Sequence, residues 1–299
     1  MQTTRPLALN NAPMLDHSHA KSTTRLTHGP IRARQLIGKY RVEKKIGRGG
    51  FASVYSALDT IEGIRVALKI PHEHYVSEEM LEMFRQEVRL AAKLDHPHVL
   101  RLKDASMIDG RLVVVTMLGK QSLDERLKKR IAVEKAYDYA SQMISAVAYA
   151  HQSGLIHCDI KPDNFILFEN DQLRLGDFGI AKVSRSTIEG SGTGTVGHMS
   201  PEQAMGKPSA RSDVFSLGLT IYKLLTGYWP EFPFVWPPPG AVLLRRKSVH
   251  PEMIALIRKS LSVRPYERFA NAIRMQEAFQ LVLPKALKLI QQKKARKRK

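Results

Sequence analysis

Residues 157–167 read HCDIKPDNFIL, and a DFG triplet follows ten residues later. The two segments place Asp159, Lys161, Asn164 and Asp177 in a fixed order, with apolar residues between them that can anchor the backbone. Carboxylate and amide oxygens can hold a divalent cation, and a lysine beside them can neutralise an anion. The combination fits chemistry on a densely negative phosphoryl group, where catalysis is mainly positioning and charge neutralisation.

Together with the motifs described below, this stretch resembles the protein kinases, and most of all the compact bacterial Ser/Thr kinases of eukaryotic type. The resemblance implies that Asp159 orients the attacking hydroxyl and that Lys161 lies against the transferring phosphate. It also implies that Asn164 and Asp177 hold Mg²⁺, with Mn²⁺ as another possible metal. The implied reaction transfers the γ-phosphoryl group of ATP to Ser or Thr hydroxyls of protein substrates, this chain included.

The implied fold is α+β and bilobal. A small antiparallel β lobe with one key helix is joined by a hinge to a larger, mainly α-helical lobe. The predicted domains are a flexible N-terminal arm (1–35), a kinase domain (36–283; small lobe 36–115, hinge 116–120, large lobe 121–283) and a basic C-terminal tail (284–299).

A glycine cluster between two alternating segments, within KYRVEKKIGRGGFASVYSAL, predicts a strand, a tight loop and a second strand. Such a loop lets the backbone come close to phosphates. Ala52 stands where the family usually has glycine, so the loop is expected to be slightly stiffer. The residues implied to contact the nucleotide are Ile46, Gly47, Gly49, Gly50, Phe51, Val54, Ala67, Lys69, Val115, Thr116, Leu118 and Ile166.

Lys69 lies on a strand-type segment between apolar residues, where an ammonium group is costly unless it is paired. The proposed partner is Glu87, at the edge of the apolar stripe of a predicted helix. The resemblance also makes Val115 the gatekeeper behind the adenine. The backbones of Thr116 and Leu118 would then bind the adenine.

Apolar residues at helical spacing predict a long helix over Val133–Gln152, with Gly154 as its stop. The segment from Arg211 to Gly227 is apolar nearly all round, which predicts a buried central helix. The resemblance implies that Asp213 on that helix accepts backbone hydrogen bonds from the catalytic loop.

The activation segment after the DFG triplet is rich in Ser, Thr and Gly. The resemblance implies that Thr195 braces Asp159 and Lys161, and that Glu202 pairs with Arg268. Cys158 stands where most of the family has an arginine that binds a phosphorylated activation loop, so a weaker dependence on that phosphorylation is expected. A pseudokinase that binds nucleotide or acts as a scaffold is the alternative function.

The formal net charge of the 299 residues is +19, which favours anionic partners. Residues 285–299 hold eight Lys or Arg and no acid, so nucleic acid or an anionic membrane surface is a possible partner of this tail. The single cysteine excludes an intramolecular disulfide and fits a reducing compartment. No apolar run approaches the roughly 20 residues that a membrane span needs, and a cytoplasmic location is predicted.

Overall fold

The computed structural model describes residues 29–50, 52–72, 82, 85, 88, 89, 91–178 and 199–298. Residues 297 and 298 are described by their backbone only. Phe51, Glu87 and Thr195 therefore lie outside the described residues, as do most of the N-terminal arm and most of the activation segment.

A six-stranded antiparallel sheet forms the first lobe, in the order β1-β2-β3-β4-β6-β5. Its residues alternate between two faces: in β4, Val66, Leu68 and Ile70 are buried in an apolar cluster, while Ala67 and Lys69 lie on the other face. The strands are β1 (Leu36–Ile37), β2 (Tyr40–Arg48), β3 (Ala52–Asp59), β4 (Arg65–Pro71), β5 (Leu102–Ile108) and β6 (Arg111–Met117).

The second lobe is helical and encloses the larger core. Its helices are α1 (Leu123–Leu127), α2 (Val133–Gln152), α3 (Pro201–Ala204), α4 (Ala210–Thr226), α5 (Val242–Arg246), α6 (Pro251–Ser260) and α7 (Ala272–Arg298). The predicted helix over Val133–Gln152 is confirmed, and Gly154 follows it with a positive φ of 75°.

Helix α4 is buried along almost its whole length, as its all-round apolar sequence predicted. Ser209 and Ser212 form a capping box at its start, and Gly227 ends it in the left-handed conformation. Gly218 lets a neighbouring helix approach, because a Cβ there would come within 2.9 Å of the Ser260 Cβ. The helix is thus a rigid element to which the catalytic loop can be anchored.

Three short strands, β7 (Gln121–Ser122), β8 (Phe165–Leu167) and β9 (Leu173–Leu175), form a second antiparallel sheet in that order. Strand β8 follows directly on a 3₁₀ turn at Pro162–Asn164. The catalytic-loop stretch is thereby held between the end of helix α2 and this small sheet.

The predicted boundary between domain and tail at residue 283 falls inside helix α7, which continues through Pro284 to Arg298. Val282, Ala286 and Ile290 continue its buried stripe at four-residue spacing. A proline inside a helix removes one backbone hydrogen bond, and packing of this stripe outweighs that loss. The basic segment is therefore helical up to Arg298.

In the part of the chain that the structure describes, no helix is both long enough and apolar enough to cross a bilayer.

Candidate active site

The catalytic loop brings three predicted side chains into direct contact. Lys161 Nζ lies 3.0 Å from Asp159 Oδ2, and Asn164 Nδ2 donates to the same oxygen at 3.0 Å. Asn164 also donates to the backbone carbonyl of Asp159 at 2.7 Å. The two donors fix the orientation of the Asp159 carboxylate.

Asp213 fixes the loop to the core. Its carboxylate accepts hydrogen bonds from the backbone N–H groups of His157 and Cys158, both at 2.8 Å, and is itself 1% exposed. The predicted anchoring by Asp213 is confirmed. A third donor, His151 Nε2 at 2.9 Å, was not foreseen. Because His151 Nδ1 accepts from the Ala272 N–H, this aspartate links α4, α2 and α7 to the loop.

His157 connects the loop to the residue before the DFG triplet. Its Nδ1 accepts from the Asp159 N–H at 3.2 Å, and its Nε2 lies 2.9 Å from the Gly176 carbonyl oxygen. Because an amide N–H only donates and a carbonyl only accepts, these two contacts fit the tautomer that carries its proton on Nε2. The Phe178 ring packs edge-on against it, with centroids 4.9 Å apart. Both catalytic segments therefore meet at one buried histidine.

Lys69 contacts Asp177, 108 residues later in the chain. The distance from Nζ to Oδ1 is 2.6 Å, and the two side chains are 19% and 40% exposed. Asp177 has a positive φ of 60°, and Cys158 has one of 62°. Left-handed φ values are uncommon for such residues and concentrate at functional sites. The predicted partner Glu87 lies outside the described residues, so the Lys69–Glu87 pair stays a prediction.

The face of the sheet that carries Lys69 is defined by residues that lie opposite one another. Val54 is paired with Lys69, and Thr116 is paired with Ala67. Directly paired residues project on the same side of a sheet. Val54, Ala67, Lys69 and Thr116 therefore share one face.

Val115 lies on the other face. It is paired with Leu68 and is completely buried in the cluster of Val66, Leu68, Ile70 and Val113. The strand pairing thus contradicts the predicted role of the Val115 side chain as the wall behind adenine. Thr116, one residue later, lies on the face of Lys69 instead.

The hinge passes close to Ile166, the predicted floor of the adenine site. A Cβ on Gly119 would overlap Ile166 Cγ2 and come within 2.9 Å of the Leu167 carbonyl oxygen. The next residue, Lys120, donates its N–H to that same carbonyl at 2.8 Å. Gly119 is required for this approach, and a glycine within the predicted hinge was the signal that could have revealed it.

The described part of the glycine loop is a turn at the end of β2. The Gly49 N–H donates to the Ala52 carbonyl at 2.8 Å, and Gly47 is paired with Val54 across the hairpin. Ile46 precedes the turn and is 45% exposed, and among the described residues other than its chain neighbours none places a heavy atom within 4 Å of a Cβ built on Gly50.

Glu202 and Arg268 form the predicted ion pair. Two bonds of 2.8 and 3.0 Å join the guanidinium to the carboxylate, and Ser212 donates to it as well. Burial alone would raise the pKa of Glu202, but the bonds from Arg268 and Ser212 hold this pKa below its ordinary value. Beside this pair, Gln203 Nε2 donates to the Cys158 carbonyl at 2.5 Å. No sequence motif had pointed to Gln203.

Comparison with known proteins agrees with this geometry. The sequence model of the protein kinase domain matches residues 40–281. A probable serine/threonine-protein kinase of Clostridium acetobutylicum is 31% identical over 258 residues, which are 79% of this chain and 39% of that protein. Serine/threonine-protein kinase PknA of Mycobacterium tuberculosis is 35% identical over 208 residues, 65% of this chain and 48% of that one. The chain thus spans well under two thirds of the length of these relatives.

Among solved structures, the kinase domain of Mycobacterium tuberculosis PknI aligns with a TM-score of 0.66 at 23% identity. The alignment covers 84% of this chain and 99% of the PknI domain. It shows the same fold, an antiparallel sheet lobe followed by a helical lobe. With the family match across most of its length, the chain belongs to the protein kinase family.

Proposed function

We propose that the chain is an ATP-dependent serine/threonine protein kinase. The observation that carries this proposal is the convergence of distant polar residues on one site: Lys69 with Asp177, and Asp159 with Lys161 and Asn164. The names of the relatives support the same activity. An arrangement kept only for scaffolding would not need these charges together, because each costs desolvation.

The donor set at the site fits Mg²⁺. This ion takes oxygen ligands and usually binds through one or two carboxylates and the phosphates of a substrate. Lys69 contacts Oδ1 of Asp177, so Oδ2 can face a cation. The amide nitrogen of Asn164 is committed to Asp159, so its amide oxygen can do the same. A bound Mg²⁺ would neutralise phosphate charge during transfer.

The protein side chains then have distinct tasks. Asp159, oriented by its two donors, accepts the hydrogen bond of the substrate hydroxyl and takes its proton. Lys161 stabilises charge on the transferred group, and Lys69 holds the phosphates of ATP. The face shared by Val54, Ala67 and Thr116 covers the adenine. With Thr116 as the wall, the hinge backbone contacts belong one residue later than predicted, at Met117 and Gly119.

Phosphate incorporation from labelled ATP and Mg²⁺ into a generic protein substrate tests the proposal. Asp159→Asn should lower the rate about 10²–10⁴-fold, as expected for loss of a general base. Asp163→Asn is the matched control, since it makes the same change on the exposed side of the same loop. It should keep activity within about twofold.

Equal incorporation by wild type and Asp159→Asn would reject the assigned base. No incorporation by wild type, with nucleotide binding retained, would favour a pseudokinase. Phosphoamino-acid analysis of the product completes the test, because phosphotyrosine as the main product would contradict the proposed specificity.

A further inference from the structure

Three basic runs from separate parts of the chain lie outside the active site. They are Lys128–Arg130 after helix α1, Arg245–Lys247 at the end of α5, and residues 293–296 (Lys-Lys-Ala-Arg) near the end of α7. We call the surface that they form the basic face. No single sequence motif contains it, because Arg130 precedes Arg245 by 115 residues and Lys247 precedes Lys293 by 46.

Contacts bring the three runs together. Lys293 Nζ lies 2.9 Å from the Ser248 side chain, directly after the second run. Lys294 forms an ion pair with Glu134 at the start of α2, four residues after the first run. Lys247 is held by the Leu225 carbonyl at 2.7 Å, and burial together with the nearby positive charge of Arg130 lowers its pKa. The runs thus border one another.

Most of these side chains face solvent. Lys128, Lys129, Arg130, Arg245, Arg246, Lys293, Lys294 and Arg296 are all exposed. Two of the eight are paired with a carboxylate, Lys128 with Glu125 and Lys294 with Glu134. Some of these positive charges lie at the C-terminal ends of helices, where they complement the helix dipole. That dipole amounts to only about half a unit charge at each helix end. A large positive excess remains.

The three runs lie at different distances from the catalytic loop. The third run meets the start of α2, whereas the loop follows the end of that helix, 20 residues later. At about 1.5 Å per residue, the length of α2 is about 30 Å. The first run is nearer, because Lys128 directly follows α1, which packs against the 3₁₀ turn at Pro162–Asn164, and its charge interacts with that of Asp163. The face thus runs from the border of the catalytic loop toward the opposite end of α2.

The character of the face distinguishes among polyanions. The apolar stripe of α7 at Val282, Ala286 and Ile290 is already buried, so it cannot enter a lipid surface. The three runs contain no aromatic side chain on which single-stranded bases could stack. From Gln291 to Arg296 the helix is exposed and carries no large apolar side chain. An α-helix of this kind fits the major groove of a duplex, which is about 12 Å wide.

We propose that the basic face binds the phosphate backbone of double-stranded nucleic acid without sequence specificity. Its lysines and arginines would displace counterions from the duplex, and binding would therefore weaken steeply with salt. This function is additional to phosphoryl transfer and does not depend on it.

Fluorescence anisotropy with a labelled 30-base-pair DNA of random sequence tests the proposal on the full chain. The face variant replaces five exposed residues with glutamine: Lys129, Arg130, Arg245, Arg246 and Arg296. The control variant replaces five exposed residues elsewhere: Arg41, Lys44, Arg101, Arg264 and Arg274. Both lose the same charge, so the comparison isolates position from net charge.

Wild type and control should bind with a salt slope of magnitude about 4–5. The face variant should lose at least about tenfold in affinity at 0.1 M salt, and its slope should fall by about one per residue removed. Equal losses in both five-residue variants would overturn the proposal, because net charge alone would then explain binding. So would face-dependent binding to phosphatidylserine vesicles that is tighter than binding to the duplex.

The kinase assay on a short peptide provides the last check. The face variant should phosphorylate the peptide at the wild-type rate, which shows that it is folded. If that rate collapses, Arg130 and Arg296 are restored one at a time, and the peptide rate and the duplex affinity are measured for each restored protein. Both quantities should recover, and they need not recover in the same protein. Recovery of activity without any recovery of affinity would count against the proposal.

Discussion

The catalytic loop and the lysine-bearing strand β4 hold their charged groups in opposite ways. The loop is fixed by Asp213, a buried carboxylate with three hydrogen-bond donors from two elements. Lys69 makes one 2.6 Å contact with Asp177, between side chains that are 19% and 40% exposed. One arrangement is built into the core, while the other faces the cleft.

The two arrangements are expected to affect different properties of the protein: the buried anchor affects stability, and the exposed pair affects the reaction. A buried carboxylate with all its donors in place cannot be removed without leaving those donors unpaired in the core. A partly exposed ion pair contributes little to folding, because water screens it. The loop is thus positioned before any ligand arrives, and Lys69 is available to exchange its contact for phosphate.

The largest expected effect is that of Asp213→Ala. Two backbone N–H groups and His151 would lose their acceptor, and the free energy of unfolding should fall by about 3–5 kcal/mol. Urea denaturation followed by circular dichroism measures this. Asp138→Ala is the control, since Asp138 pairs with Lys135 on the exposed side of α2. A loss of under about 1 kcal/mol in Asp213→Ala would show that the loop is not anchored there.

Lys69→Met should show the reverse pattern. Losing the phosphate-binding charge should reduce the rate about 10²–10³-fold, while the stability changes by no more than about 1 kcal/mol. Lys103→Met serves as the control on the same sheet, because Lys103 pairs with Glu62 rather than with a site residue. Steady-state phosphorylation and urea denaturation are measured on both variants. A Lys69→Met protein that is fully active, or unfolded, would remove the contrast between the two regions.

Glu202→Gln tests whether the Glu202–Arg268 ion pair behaves like the anchored loop or like the strand. The pKa of Glu202 is lowered in the folded protein, so its ionised form stabilises the fold above the ordinary value of 4.5. That contribution should disappear as the pH falls through the lowered pKa. At pH 7 the variant should be about 1.5–3 kcal/mol less stable, and the gap should close between about pH 4.5 and more acidic values.

Urea denaturation of both proteins from pH 7 to pH 3 measures that gap. Glu267→Gln is the control, because Glu267 contacts Arg264 at 3.5 Å on the surface. It should be within about 0.5 kcal/mol of wild type at pH 7. A Glu202→Gln deficit that stays constant over the whole range would assign the effect to packing.

The sequence indicated the buried anchor points because they are tied to motifs or to strong periodicity. Asp213 opens a helix that is apolar all round, and the predicted bounds of α2 agree with the structure. His151 and Gln203 could not be found in this way, since their partners are backbone atoms or lie far along the chain. The predicted boundary at residue 283 separated the last helix from the basic tail, whereas the structure continues that helix through Pro284 to Arg298.

The hinge register failed for a different reason. Residues 112–115 read LVVV, a continuous apolar run, and such a run does not reveal which residues face which side of a sheet. Only the pairing with β4 decides it. The position of Lys69 was therefore predictable from its motif, whereas the β6 residues that share its face could be identified only from the fold.

Paired methionine substitutions on β6 should give the smallest and most diagnostic effects. Val115→Met overpacks the cluster around Leu68 and should cost about 1–3 kcal/mol of stability with little change in ATP affinity. Thr116→Met should cost less stability but narrow the proposed adenine site. It should therefore weaken the binding of adenine-competitive inhibitors that carry a bulky group behind the purine. Thermal unfolding and inhibitor titration on both variants separate the effects. If Val115→Met instead abolished inhibitor binding at unchanged stability, the pairing of β4 with β6 would be shifted by one residue, and Val115 would then share the face of Lys69.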